Sequence, residues 1–107
     1  MVGGRKGTVR LEIVPWLSEP FGHRGASRLV LEEEVGGPTS LGDFLASLGP
    51  KYSAIAVAVL DLERGRLFEH VSVVRNGTAL GSDTALAEVV EAGDSLVLLP
   101  AFSGGAL

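Results

Sequence analysis

The chain has 107 residues, 46% of them hydrophobic, with a formal net charge of −4 and no cysteine. That length fits one domain burying about two-thirds of its unfolded surface, and the lack of cysteine excludes disulfides, thiolate metal sites and cysteine nucleophiles. The mild acidity without clustered Lys and Arg argues against a nucleic-acid partner, and two histidines, His23 and His70, are too few for a histidine-rich metal site.

Residues 1–7 read as a loose lead-in. Arg5 and Lys6 are basic, but no apolar core follows them, so they do not form a signal peptide. No apolar run approaches the ~20 residues of a membrane span, and a cytoplasmic protein with no membrane contact is expected. Thr8–Leu17 predicts a first strand: Val9, Leu11 and Ile13 alternate with Arg10 and Glu12, and Pro15 marks an edge or bulge near its end. Ser18–Ala26, with Pro20, Gly22 and Gly25, predicts a loop. Ser27–Val35 predicts the return strand, with Leu29, Leu31 and Val35 on one face and Glu32 and Glu34 on the other. The two runs form a hairpin with a long tip. Trp16 and Phe21 flank that tip, where they cover the sheet edge or offer a partner contact. Glu32-Glu33-Glu34 reads as a solvated strand end, with a basic partner surface as the alternative.

Gly36-Gly37-Pro38 breaks the strand. The clearest helix follows: Ser40 caps it, Asp43 suits its first turn, and Leu41, Phe44, Leu45 and Leu48 form one apolar stripe. Gly49 then Pro50 predict a left-handed cap and a stop. Over Tyr52–Leu62, Ile55, Val57 and Val59 alternate like a strand, while Tyr52, Ile55, Val59 and Leu62 fit a helical face; Ala54, Ala56 and Ala58 tip the reading to a short helix. Glu63-Arg64-Gly65 is a turn, Leu67–Arg75 a strand, and Asn76-Gly77 a two-residue hairpin signal leading into a return segment, Thr78–Leu86. Val89-Val90 precede the turn Ala92-Gly93-Asp94. Ser95–Leu99 is the last strand, and its unbroken apolar run predicts burial on both faces at the centre of the sheet. His23 and His70 read as solvated, and Asp43, Asp61, Asp83 and Asp94 as cap and turn residues; none forms a catalytic couple.

The last strand runs into Pro100-Ala101-Phe102-Ser103-Gly104-Gly105-Ala106-Leu107. Gly-Gly alone carries little, because Gly3-Gly4 and Gly36-Gly37 also occur among 15 glycines. The order of strand, proline, aromatic, small residue and double glycine carries more. Phe102 is open to two readings, a core aromatic or an exposed anchor.

The opening hairpin, the helix Thr39-Ser40-Leu41-Gly42-Asp43-Phe44-Leu45, then Val71-Ser72-Val73-Val74-Arg75-Asn76-Gly77, then Ala92-Gly93-Asp94-Ser95-Leu96 leading to Leu99–Gly105, stand in an order that resembles the ubiquitin-like β-grasp proteins of the ThiS/MoaD sulfur-carrier type. The resemblance implies an α+β fold, a mixed sheet of four to five strands packed on one main helix, with the domain at 8–99 and a flexible tail at 100–107. It implies a carrier rather than an enzyme, with no bound cofactor. The carboxylate of Gly105 would be adenylated, with ATP, by a ubiquitin-activating-type adenylyltransferase and converted to a thiocarboxylate that supplies a sulfur-accepting synthase. Pro100, Ala101, Phe102, Ser103 and Gly104 would thread into the partner, where glycine's lack of a Cβ permits close approach. The chain departs from the pattern by continuing with Ala106-Leu107. A JAMM-type metallopeptidase cutting between Gly105 and Ala106 would expose the reacting carboxylate. Alternatives from the same tail are a ubiquitin-like modifier joined through Gly105 to target lysines, the small subunit of a molybdopterin-synthase-like complex, and a plain binding domain with a dead tail.

Overall fold

The computed structural model describes residues 7–23, 27–81 and 83–101. Strand β1 (Gly7–Ile13) and strand β2 (Leu29–Val35) pair antiparallel, with Leu11 opposite Leu31 and Val9 opposite Glu33. Val9, Leu11 and Ile13 are fully buried, as their alternation predicts. The first strand is shorter than the sequence pattern implies. Pro15 does not end it as a bulge but opens a single helical turn, α1 (Pro15–Ser18). Proline's fixed φ suits the first position of a helix, and the residue before it, Val14, is held extended. Ser18 Oγ donates to Pro15 O at 2.9 Å and is fully buried. A tighter turn, Glu19–Phe21, follows inside the expected loop and ends on Gly22.

Thr39–Ser40 forms a short strand, β3, that runs into helix α2 (Leu41–Ser47). Ser40 Oγ accepts the Asp43 N–H at 3.0 Å, the expected cap. Leu41, Phe44, Leu45 and Leu48 are buried beneath the sheet. Gly49 is not left-handed; the helix tightens instead through Leu48 N–H to Leu45 O and Gly49 N–H to Ala46 O. Tyr52–Leu62 contains both of the forms its pattern allowed. Ile55–Val59 is one π-helical turn, closed by Leu60 N–H on Ile55 O, that buries Ile55, Ala58 and Val59. It gives way to strand β4 (Leu60–Asp61), which pairs with β5 (Arg66–Leu67) across a turn held by Asp61 Oδ1.

The predicted strand Leu67–Arg75 is therefore two pieces, split where Val71 N–H turns back to Phe68 O. The second piece, β6 (Val71–Arg75), turns at Asn76-Gly77 into β7 (Thr78–Ala79). Both turn residues have positive φ, 50° and 86°, which is the twist that a tight hairpin needs. The return segment pairs over only those two residues before a 3-10 turn, Ala85–Ala87, and strand β8 (Val89–Val90), which pairs with β3. The last strand, β9 (Ser95–Pro100), lies between β1, to which it is parallel, and β6, to which it is antiparallel. The main sheet is thus five-stranded and mixed, in the order β2-β1-β9-β6-β7, with one main helix packed on it. This is the α+β β-grasp arrangement. Leu96 and Leu98 are fully buried on the helix side of β9, whereas Val97 and Leu99 on its other face are only half-buried. No helix among the described residues is long and apolar enough to cross a membrane.

Candidate functional site

The candidate site is the place where β9 leaves the sheet. The start of the strand is fastened by a polar cluster. Asp94, 8% exposed, accepts from Arg75 Nε (3.1 Å), Asn76 Nδ2 (3.0 Å) and the Glu91 N–H (2.9 Å). Asn76 Oδ1 in turn accepts the Ser95 N–H at 2.8 Å, and Ser95 O accepts the Asn76 N–H at 2.8 Å. Burial pushes the Asp94 carboxyl up, but the bonds from Asn76, Glu91 and Arg75 together outweigh it and hold the group below its ordinary value. The Gly7 end of β1 closes the same corner: a Cβ on Gly7 would lie 2.3 Å from the Cβ of Ala92, so only glycine fits there.

The far end of β9 is held differently. The strand does not break at Pro100; Pro100 is its last residue, opposite Val71. Ala101 N–H then donates to His70 O at 2.8 Å. His70 is a surface residue, as expected, but it is not idle. Its Nε2 lies 2.9 Å from Ala58 O, and its ring stacks on Phe68 at 5.7 Å and 18°. Among the described residues this corner carries no polar cluster like that at Asp94. It borders instead an apolar cleft of about 360 Å³ lined by Trp16, Pro20, Ala58, His70 and Pro100, among others. Trp16 is 73% exposed, the most open of the large apolar side chains described. The helical turn begun by Pro15 explains it: Leu17 and Ser18 turn into the core, which leaves the indole facing out.

Of the expected threading segment, Pro100 borders this cleft, whereas Ala101 lines a separate one with Phe68, Glu69 and Leu80. Phe102, Ser103, Gly104, Gly105 and Ala106 lie outside the described residues, as does the expected tail flexibility. Among the described residues no group of His, Asp and Glu is arranged to hold a metal ion.

One polar site departs from the sequence expectation. Glu33 belongs to the acidic run read as solvated, yet it is 6% exposed on the core side of β2. Lys51 Nζ lies 3.0 and 3.3 Å from its two oxygens, and the Tyr52 hydroxyl donates to it at 2.6 Å. The bond to Glu33, then burial, raises the Tyr52 phenol; the bond to Glu33 also raises the Lys51 ammonium. Phe21, from the hairpin tip, packs tilted against the Tyr52 ring at 6.3 Å. The strict period of two along β2 was the available signal, since it puts residue 33 on the same face as Leu31 and Val35.

The ThiS family profile matches residues 25–105. Small archaeal modifier protein 1 of Haloferax volcanii is 39% identical over 72 residues, covering 67% of this chain and 77% of that protein. The crystal structure of small archaeal modifier protein 1 from the same organism superimposes with a TM-score of 0.68 at 32% identity, covering 92% of this chain and all (100%) of that one. The solution structure of a second Haloferax volcanii protein gives a TM-score of 0.69 at 24% identity, over 94% of this chain and 88% of that one, a likeness of fold.

Proposed function

The chain belongs to the ThiS family of ubiquitin-like β-grasp proteins, and from that premise we propose that it is a carrier that reacts through the carboxylate of Gly105. The observation that carries the reading is the path of β9. Its central strand ends at Pro100, which borders the same cleft as an exposed tryptophan, with Ala101-Phe102-Ser103-Gly104-Gly105 next in sequence.

A carboxylate is a poor acyl donor because it is anionic and resonance-stabilised. Hydrolysis of the Gly105–Ala106 bond by a peptidase of the JAMM type frees that carboxylate. One of its oxygens attacks the α-phosphorus of ATP on an adenylyltransferase partner, and pyrophosphate leaves. Hydrosulfide then attacks the carbonyl carbon of the acyl adenylate, AMP leaves, and the thiol proton goes to solvent. The product is a Gly105 thiocarboxylate, which hands its sulfur to an accepting synthase. Gly104 and Gly105 have no Cβ and let the tail enter an enclosed nucleotide site. In this scheme the chain is a co-substrate rather than an enzyme.

A second reading is favoured by the 39% identity to a protein named as a modifier: the activated Gly105 is joined to a lysine of a target. The amine of the chain's own Lys51 is engaged by Glu33 at 3.0 Å. Incubating the chain ending at Gly105 and the chain continuing through Leu107 with ATP, sulfide and an adenylyltransferase, then weighing both, tests the carrier reading. Sulfur replacing one oxygen on the Gly105 form alone supports it; no change on either form overturns it. Gly105 linked to lysines in a cell extract supports the modifier reading.

A further inference from the structure

The outer edge of β2 is an open ladder with a charge pattern of its own. Arg10 N–H donates to Asp94 O and Val14 N–H to Leu98 O, so residues 10, 12 and 14 turn their backbone toward β9. Val9, Leu11 and Ile13 therefore bond across to β2, where they face Glu33, Leu31 and Leu29. The alternation leaves the N–H and C=O of Val30, Glu32 and Glu34 pointing away from the sheet. Among the described residues no strand pairs with that side, and no backbone hydrogen bond outside the ladder reaches those three residues. The side chains of Val30, Glu32 and Glu34 are themselves exposed.

Proteins protect such edges with charge, and here the charge also selects what can add to the edge. Two copies pairing through β2 would set glutamates against glutamates, a repulsive cross-strand arrangement. A strand carrying cations at alternate positions meets the opposite situation. Arg10 offsets Glu32 only weakly, at 3.9 Å and with both side chains about half exposed, and Glu34 has no ion-pair partner among the described residues. Beyond Glu34 the edge continues into a cleft of about 310 Å³ bordered by Glu34, Pro38, Asp43 and Phe44. The two carboxylates, Glu34 and Asp43, on its border suit a long side chain with a cationic head.

We propose that the free edge of β2 is a docking site for an extended, lysine- or arginine-bearing peptide segment of a partner protein, which adds as a further strand with its cations toward Glu32, Glu34 and Asp43. Main-chain hydrogen bonds supply the affinity and charge the selectivity. The site stands apart from the Gly105 reading and does not depend on it.

The probe is an acetylated, amidated peptide of alternating lysine and valine, titrated into the full chain and followed by amide hydrogen exchange and NMR. The expected result is exchange slowed by about tenfold or more at the Val30, Glu32 and Glu34 amides, with the odd-numbered amides of β2 unchanged because β1 already protects them. Affinity falls as salt rises. A glutamate–valine peptide and a lysine peptide with a central proline bind at least about tenfold more weakly. The double variant Glu32→Lys/Glu34→Lys reverses the preference between the lysine and glutamate peptides, and intact exchange protection in β1 certifies its fold. Equal binding of both peptides, shifts without slowed exchange at those three amides, or protection of the same amides by self-association without peptide would each overturn the proposal.

Discussion

The two ends of β9 are built on opposite principles. At its start, Asp94 collects three hydrogen bonds and ties the strand to the Asn76-Gly77 hairpin and to the turn before it. At its end, Ala101 N–H bonds to His70 O, and Pro100 borders an apolar cleft with an exposed indole. A strand that only had to complete a sheet would have no need of that contrast. Side-chain bonds fix the register at one end, while the other is held by backbone pairing alone and opens beside an apolar cleft, which suits a strand that presents its C-terminal extension to another protein.

Asp94→Ala should loosen the start of β9 and do the most damage to the fold. It leaves the Arg75 charge half-buried and the Glu91 N–H without its partner, and should cost about 3 kcal/mol in chemical denaturation. The acid limb of stability tests the same group. The folded carboxyl titrates below its unfolded value of 3.8, so its contribution is complete above that pH and is lost as pH falls through the lower, folded value. Asp94→Ala should flatten that limb; an unchanged limb would assign the acid sensitivity elsewhere. At the other end the effects should be kinetic. Trp16→Ala should leave stability within about 0.5 kcal/mol, because the indole is largely in water. With an activating partner it should lower kcat/KM for Gly105 adenylation about tenfold, roughly 1.4 kcal/mol of contact. The smallest effect belongs to Pro100→Ala. The proline closes the strand, contributes no N–H and is only half-buried, so stability should move by less than about 0.5 kcal/mol. A loss as large as that of Asp94→Ala would make both ends structural and remove the asymmetry.

Much of this plan was legible in the chain. The hairpin, the Ser40 cap with Asp43, the Asn76-Gly77 turn and the central place of β9 all rest on local chemistry that acts within a few residues. The failures share a cause, which is that tertiary contacts chose between locally permitted forms. Pro15 is compatible with a strand end or a helix start, and the buried Ser18–Pro15 bond selects the helix. The Ile55–Val59 turn is π-helical because Ile55, Ala58 and Val59 must all reach the core before β4 begins. Glu33 looked solvated because its neighbours in sequence are; its partners Lys51 and Tyr52 come from beyond the helix and leave no local trace. Of the candidate site, the tail motif was legible in the sequence, whereas the cleft at its root needs residues from four separate segments of the chain.

The central claim is that Gly105 is the reacting residue. No Lys or Arg follows Arg75, so trypsin releases β7, β8, β9 and the whole tail as one peptide beginning at Asn76. Mass spectrometry of that peptide from the native cell is the direct test. The expected peptide ends at Gly105, with sulfur in place of one carboxylate oxygen or with Gly105 joined to a lysine-bearing fragment. A peptide found only as a form continuing past Gly105 into Ala106 would contradict the account.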